Sequence, residues 1–149
     1  MNTAQVVEKA IYIKARPETI FPFFTDPDKM VQWKGMTATL EPRNGGVYRV
    51  AINDKNVARG QYVEIIPFER IVFTWGWEGD NSPLAPGAST VEVLLVPDDE
   101  GTTVTLRHYL PADQMEQHLA GWNHYLPRLL AAVEGGSTEP DPWATVHSP

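Results

Sequence analysis

Apolar and polar residues alternate from Val6 to Lys14, with Val7, Ile11 and Ile13 supplying β-branched side chains, and this predicts a first strand. The spacing then turns helical. Ile20, Phe21, Phe23 and Phe24 cluster as one apolar turn that Pro17 can open, while Pro22 must bend or shorten it. Asp26-Pro27 reads as a second N-cap and first-turn proline, opening a short helix that runs through Val31 to Trp33. Two short helices clamped over one end of a sheet are expected here. From Thr37 the period is two again, and strands are predicted over 37–41, 47–52, 57–66, 70–75, 89–96 and 102–110. Turn-forming residues separate them, including Arg43-Asn44-Gly45-Gly46, Asn53-Asp54-Lys55-Asn56 and Pro97-Asp98-Asp99-Glu100-Gly101, so the connections are of hairpin length and the sheet antiparallel.

The segment from Gly76 to Gly87 breaks that rhythm. It is long for a hairpin loop and carries Trp77 near its start; it reads either as a binding loop or as an exposed tip. From Ala112 to Glu134 the period becomes helical, with Met115, Leu119, Trp122, Leu126, Leu129, Leu130 and Val133 forming one apolar stripe. Asp113 and Glu116 have capping-box spacing, Pro127 predicts a kink, and Gly135-Gly136 ends the helix. Residues 1–136 are expected to form one domain. Residues 137–149, rich in proline and poor in apolar side chains, are expected to be a disordered tail, with Trp143 as an alternative anchor to a neighbouring chain.

Composition narrows the chemistry. The 149 residues are 42% hydrophobic and 21% charged, ordinary for a globular domain, and no apolar run approaches the length of a membrane span. The opening Met1–Gln5 lacks the basic and apolar regions of a secretion signal, so a cytoplasmic location is expected. With no cysteine there is no thiolate nucleophile, disulfide or cysteine-ligated metal. The net charge of −7, with no compensating basic cluster, argues against a nucleic-acid partner. His118 and His124 stand about 240° apart around a helix and cannot clasp one metal ion. No cofactor is expected, and no nucleophile motif is present.

Several phrases recur in a recognisable order: Thr25-Asp26-Pro27-Asp28 followed by Trp33, Gly45-Gly46-Val47-Tyr48-Arg49, Glu69-Arg70-Ile71-Val72-Phe73-Thr74-Trp75, Gly101-Thr102-Thr103-Val104, and Gly121-Trp122. Together, over about Val7 to Val133, they resemble the bacterial homologues of the activator of the heat-shock-protein-90 (Hsp90) ATPase, within the START-like (SRPBCC) superfamily. The resemblance implies an α+β helix-grip fold: a bent antiparallel sheet of about six or seven strands around the long C-terminal helix, with two short helices after strand 1. It also implies an apolar cavity between sheet and helix.

Strand parity proposes the cavity walls. Val104, Leu106, His108 and Leu110 share one face, as do Ile71, Phe73 and Trp75, and Tyr48, Val50 and Ile52. The candidate ligand-binding residues are therefore Trp33, Tyr48, Val50, Phe73, Trp75, Trp77, Leu106, His108, Trp122 and Tyr125, with simple core packing as the alternative for most of them. His108 is the polar exception on an inward row. It either contacts a ligand or is satisfied by a buried neighbour such as a Tyr or Trp. The leading expectation is a non-enzymatic domain that binds a small hydrophobic or aromatic molecule. Two alternatives are a co-chaperone-like protein-interaction module and a cyclase or dehydratase using His108 as acid/base. Exposed edge strands and Trp77 also make a homodimer plausible.

Overall fold

The computed structural model describes residues 5–79, 82–136 and 141–143. Its strands are β1 (Gln5–Ile13), β2 (Thr37–Leu40), β3 (Val47–Ala51), β4 (Val57–Ile66), β5 (Arg70–Trp75), β6 (Ser89–Asp98) and β7 (Gly101–Leu110). They form one antiparallel seven-stranded sheet in the order β1-β7-β6-β5-β4-β3-β2. Consecutive strands from β2 to β7 are neighbours, as hairpin-length turns require. β1 alone pairs out of sequence, against β7 at the far edge.

Three one-turn helices carry the chain from β1 to the opposite edge: α1 (Pro17–Ile20), α2 (Pro22–Thr25) and α3 (Pro27–Met30). Each begins with a proline in its first turn, where the missing N–H has no helical partner to lose. The expected first helix is therefore split in two. Pro22 cannot continue α1, so it starts α2. Asp26 caps α3 as expected, its carboxylate accepting from the Asp28 amide at 2.9 Å. Two side chains lock this segment to the domain. Trp33 Nε1 donates to the Phe23 carbonyl at 3.0 Å, and the Tyr62 hydroxyl donates to the Phe24 carbonyl at 2.8 Å.

The two faces of the sheet sort by parity. Ile71, Phe73, Trp75, Val91, Val93, Leu95, Val104, Leu106 and Leu110 are all buried on the inner face. Outward, Glu8, Arg107, Glu92, Arg70 and Glu64 make an alternating row of ion pairs across five strands. In β4, Val63 is an extra residue between the Tyr62–Phe73 and Glu64–Val72 pairs, a bulge that increases local bending and twist.

The inner face is covered by α4 (Met115–Gly135), entered through a 3₁₀ turn at Ala112–Gln114. Asp113 lies inside that turn, so the expected Asp113–Glu116 capping box does not form. Helical assignment is continuous through Pro127, and Gly136 ends the helix in the left-handed conformation, its N–H bonding the Ala132 carbonyl at 3.0 Å. The buried face differs from the expected stripe at its first half. His118, Trp122, Tyr125, Leu126, Leu129 and Ala132 point inward, whereas Leu119 is 39% exposed. None of the helices in the described residues is long and apolar enough to cross a membrane.

Candidate functional site

A cavity of about 740 Å³ lies against the first half of α4 and the end of β5. Four parts of the chain frame it: the first half of α4, the β3–β4 turn, the segment after β5, and residues 142–143. Trp75, Trp122, Tyr125 and Lys34 are among its walls, with Trp77 and His118 beside them and Asn53, Asn56, Glu78 and Pro83 also bordering it.

The segment after β5 is held close to the sheet. Trp77 bridges to Ala58, and its amide donates to the Leu84 carbonyl at 2.7 Å, folding the loop back so that Leu84 is buried. Gly76 permits this return. A Cβ there would sit 1.7 Å from the Ala85 carbonyl oxygen. Arg49 grips Glu78 through two hydrogen bonds of 2.7 and 3.2 Å, with Arg59 at 3.4 Å. The bonds and charges of these arginines, Arg49 foremost, hold the Glu78 carboxyl below the usual range. The arginine that sits one position off the inward row thus clamps the cavity rim.

His108 is fully buried and fully satisfied. Trp122 Nε1 can only donate, and it lies 3.0 Å from His108 Nδ1, so Nδ1 is the acceptor and Nε2 carries the proton. Nε2–H then donates to Ser89 Oγ at 2.8 Å, and the Ser89 hydroxyl donates to the Trp75 carbonyl at 2.7 Å. This relay ties α4 to β7, β6 and β5. Burial first, then the charges on His118 and Lys34, push the His108 pKa down to about 2. A ring held neutral with both nitrogens engaged is poorly suited to acid/base exchange near neutral pH. His118 repeats the pattern: Trp77 Nε1 donates to its Nε2 at 3.0 Å, and Nδ1–H donates to the Gln114 carbonyl at 2.9 Å. Its pKa too is lowered, chiefly by burial.

Lys34 is the unusual group. It is 2% exposed, yet its ammonium has no hydrogen-bond acceptor or ion-pair partner among the described residues. Nζ instead lies 4.0 Å from the ring centroids of both Trp75 and Trp122 and 5.4 Å from that of Tyr125. Burial pushes its pKa well below that of an ordinary lysine. The chain reaches this position through Gly35, whose φ of +87° favours glycine and whose Cβ would meet Val50 Cγ1 at 2.6 Å. Beside Lys34, the Trp75 indole N–H is buried and has no acceptor.

Of the segment expected to be a disordered tail, residues 141–143 pack against α4. Asp141 meets His124 Nε2 at 2.8 Å, and Trp143 stacks on the His124 ring at 4.0 Å. Asn53 Nδ2 donates to the Trp143 carbonyl at 3.0 Å, joining the β3–β4 turn to the same corner. Burial, then the Asp141 carboxylate, raise the pKa of the Tyr125 phenol. Residues 137–140 and 144–149 of the expected tail lie outside the described residues.

Among the sequence candidates, Trp75, Trp77, Trp122 and Tyr125 border the cavity. Trp33, Tyr48, Val50, Phe73, Leu106 and His108 sit in the surrounding core, where Tyr48 stacks on Phe73 at 4.1 Å. Sequence reasoning missed Lys34, His118 and Ser89. Ser89 shares the parity of Val91 and Val93, and His118 lies four residues before Trp122 on the same helix, so both were legible by period. A lone lysine gives no such signal, because lysines are almost always exposed.

The sequence model of the family described as "Activator of Hsp90 ATPase homolog 1-like protein" matches residues 14–134. No functionally curated protein matches the chain. Among solved structures, the AHSA1-like protein RHE_CH02687 from Rhizobium etli is 35% identical, with a TM-score of 0.75, over 99% of this chain and 92% of that one. DynU16, a protein of the dynemicin biosynthetic locus, is 24% identical with a TM-score of 0.77 over 89% of this chain, which spans about half (48%) of the DynU16 chain. The Aha1 dimer from Colwellia psychrerythraea is 22% identical with a TM-score of 0.76, over 90% of this chain and 99% of that one. The last two, at their low identities, speak for the fold alone.

Proposed function

Since the chain belongs to the activator of Hsp90 ATPase homolog 1-like family, we propose that it works as a binding domain for a small hydrophobic or aromatic molecule held between the sheet and α4. The observation that carries this reading is the cavity of about 740 Å³ walled by Trp75, Trp77, Trp122 and Tyr125, a size and lining typical of small-molecule sites. The locked tautomers of His108 and His118 favour binding over acid/base turnover. DynU16, by its description, is a protein of the dynemicin biosynthetic locus, which makes intermediates of such loci sensible compounds to screen.

Native mass spectrometry of freshly purified protein, with thermal-shift screening of isoprenoid, lipid and aromatic compounds, tests the proposal. A bound mass lost on denaturation, or a rise in melting temperature with one compound class, is the expected outcome. A clean apo mass with no shift across the panel would overturn it. A homodimer is a second reading, supported by the dimeric Aha1 relative and read out by light scattering.

A further inference from the structure

We propose that Lys34 and the indole N–H of Trp75 form an acid-binding end within the cavity, so that its occupant is a carboxylic acid with an aromatic body. This rests on the ligand-binding reading above and names the ligand class. Both groups are hydrogen-bond donors, both are buried, and neither has an acceptor among the described residues. Buried donors left unpaired are costly, and native structures rarely tolerate two side by side. An oxygen supplied from outside the protein satisfies them.

Charge selects the kind of oxygen. Of the carboxylates nearest the cavity, Glu78 is paired with Arg49 and Arg59, and Asp141 meets His124 and the Trp143 amide through one oxygen, its other oxygen being buried without a partner. Of the titratable rings facing Lys34, His108 and His118 have their pKa lowered, chiefly by burial, and each accepts an indole N–H, while burial raises that of Tyr125. Among the described residues no carboxylate lies within ion-pair distance of the ammonium. A ligand carboxylate would supply that partner, and the electron-rich faces of Trp75 and Trp122, 4.0 Å from Nζ, already favour the charged form of the amine. The remaining wall is aromatic, supplied by Trp77, Trp122 and Tyr125, which suits a planar ring system behind the acid head.

The test uses 2-naphthoic acid and its methyl ester, which share a body and differ in charge, titrated into the full-length protein by calorimetry at pH 7. The acid is expected to bind at least about tenfold more tightly than the ester, the scale of one charge-assisted hydrogen bond. Lys34→Met should erase that preference, bringing the acid-to-ester affinity ratio to about one, and Trp75→Phe should reduce it. Circular dichroism confirms that both variants are folded. Equal affinity of acid and ester for the wild type, or a preference that survives Lys34→Met, overturns the acid-binding end while leaving the cavity intact. Failure of both probes to bind the wild type at millimolar concentration removes the cavity reading and this proposal together.

Discussion

Replacing Lys34 by Met should make the protein more stable at neutral pH, and the gain should shrink as pH rises. Lys34 is 2% exposed, its amine has no ion-pair partner among the described residues, and burial disfavours the charged form. In the unfolded chain the same amine is an ordinary lysine that holds its proton up to about pH 10.4. Between the depressed folded pKa and the unfolded one, the unfolded state therefore binds more protons than the folded state. Wild-type stability must rise with pH across that window, with a limiting slope of about 1.4 kcal/mol per pH unit. Met at this position removes the titration and keeps an unbranched apolar chain between the indoles. Groups whose pKa does not depend on Lys34, Tyr62 among them, cancel in the difference. Melting curves of both proteins at pH 7.5, 8.5 and 9.5 provide the assay. With roughly 2–4 °C per kcal/mol for a domain of this size, two pH units should close the gap by roughly 5–11 °C where the slope is fully expressed. A gap that stays constant with pH would refute the reasoning, because Lys34 would then have the same proton affinity folded and unfolded. A variant less stable than wild type at pH 7.5 would also refute it, since the attraction of the indole cage would exceed the cost of burial.

Three further outcomes follow from the packing. His108→Ala opens a void and leaves the Trp122 indole N–H unpaired, so it should lower the unfolding free energy by about 2–4 kcal/mol in urea; the wild-type His108 ring resonances should stay fixed between pH 5 and 8, because its pKa lies near 2. Leu129→Ala should cost about 2–5 kcal/mol, whereas Leu119→Ala should change stability by less than about 0.5 kcal/mol, and equal effects would place the helix in a different rotation. Gly76→Ala must displace the loop that returns over β5, costing about 1–3 kcal/mol and exposing Trp77, which a red shift of tryptophan emission would report.

Strand periodicity was sufficient to place every strand, because inward apolar rows such as Ile71-Phe73-Trp75 alternate cleanly with the charged outer row of Glu8, Arg107 and Glu92. The helix face was legible from Trp122 onward. Before that, a purely apolar stripe selects Leu119, whereas the fold buries His118, whose ring is satisfied by Trp77 and the Gln114 carbonyl. The three one-turn helices were harder to delimit: Pro22 can either bend a helix or begin a new one, and only the path of the chain decides. At the site, the four aromatic walls follow from parity and helical period. Lys34 does not, because its burial depends on Gly35 turning the chain in behind β3 and on two indoles from β5 and α4 meeting around it. Such a position is a property of tertiary structure and leaves no periodic trace.

The most direct test of a ligand cavity under α4 is a ¹⁵N-resolved spectrum of the five tryptophan indole N–H groups during titration with 2-naphthoic acid. Trp75, Trp77, Trp122 and Trp143 border the cavity, so their resonances should move in a saturable way. Trp33, whose N–H is bound to the Phe23 carbonyl in the core outside it, should stay in place. Shifts confined to Trp33, or no shift at any indole at saturating ligand, would contradict the account.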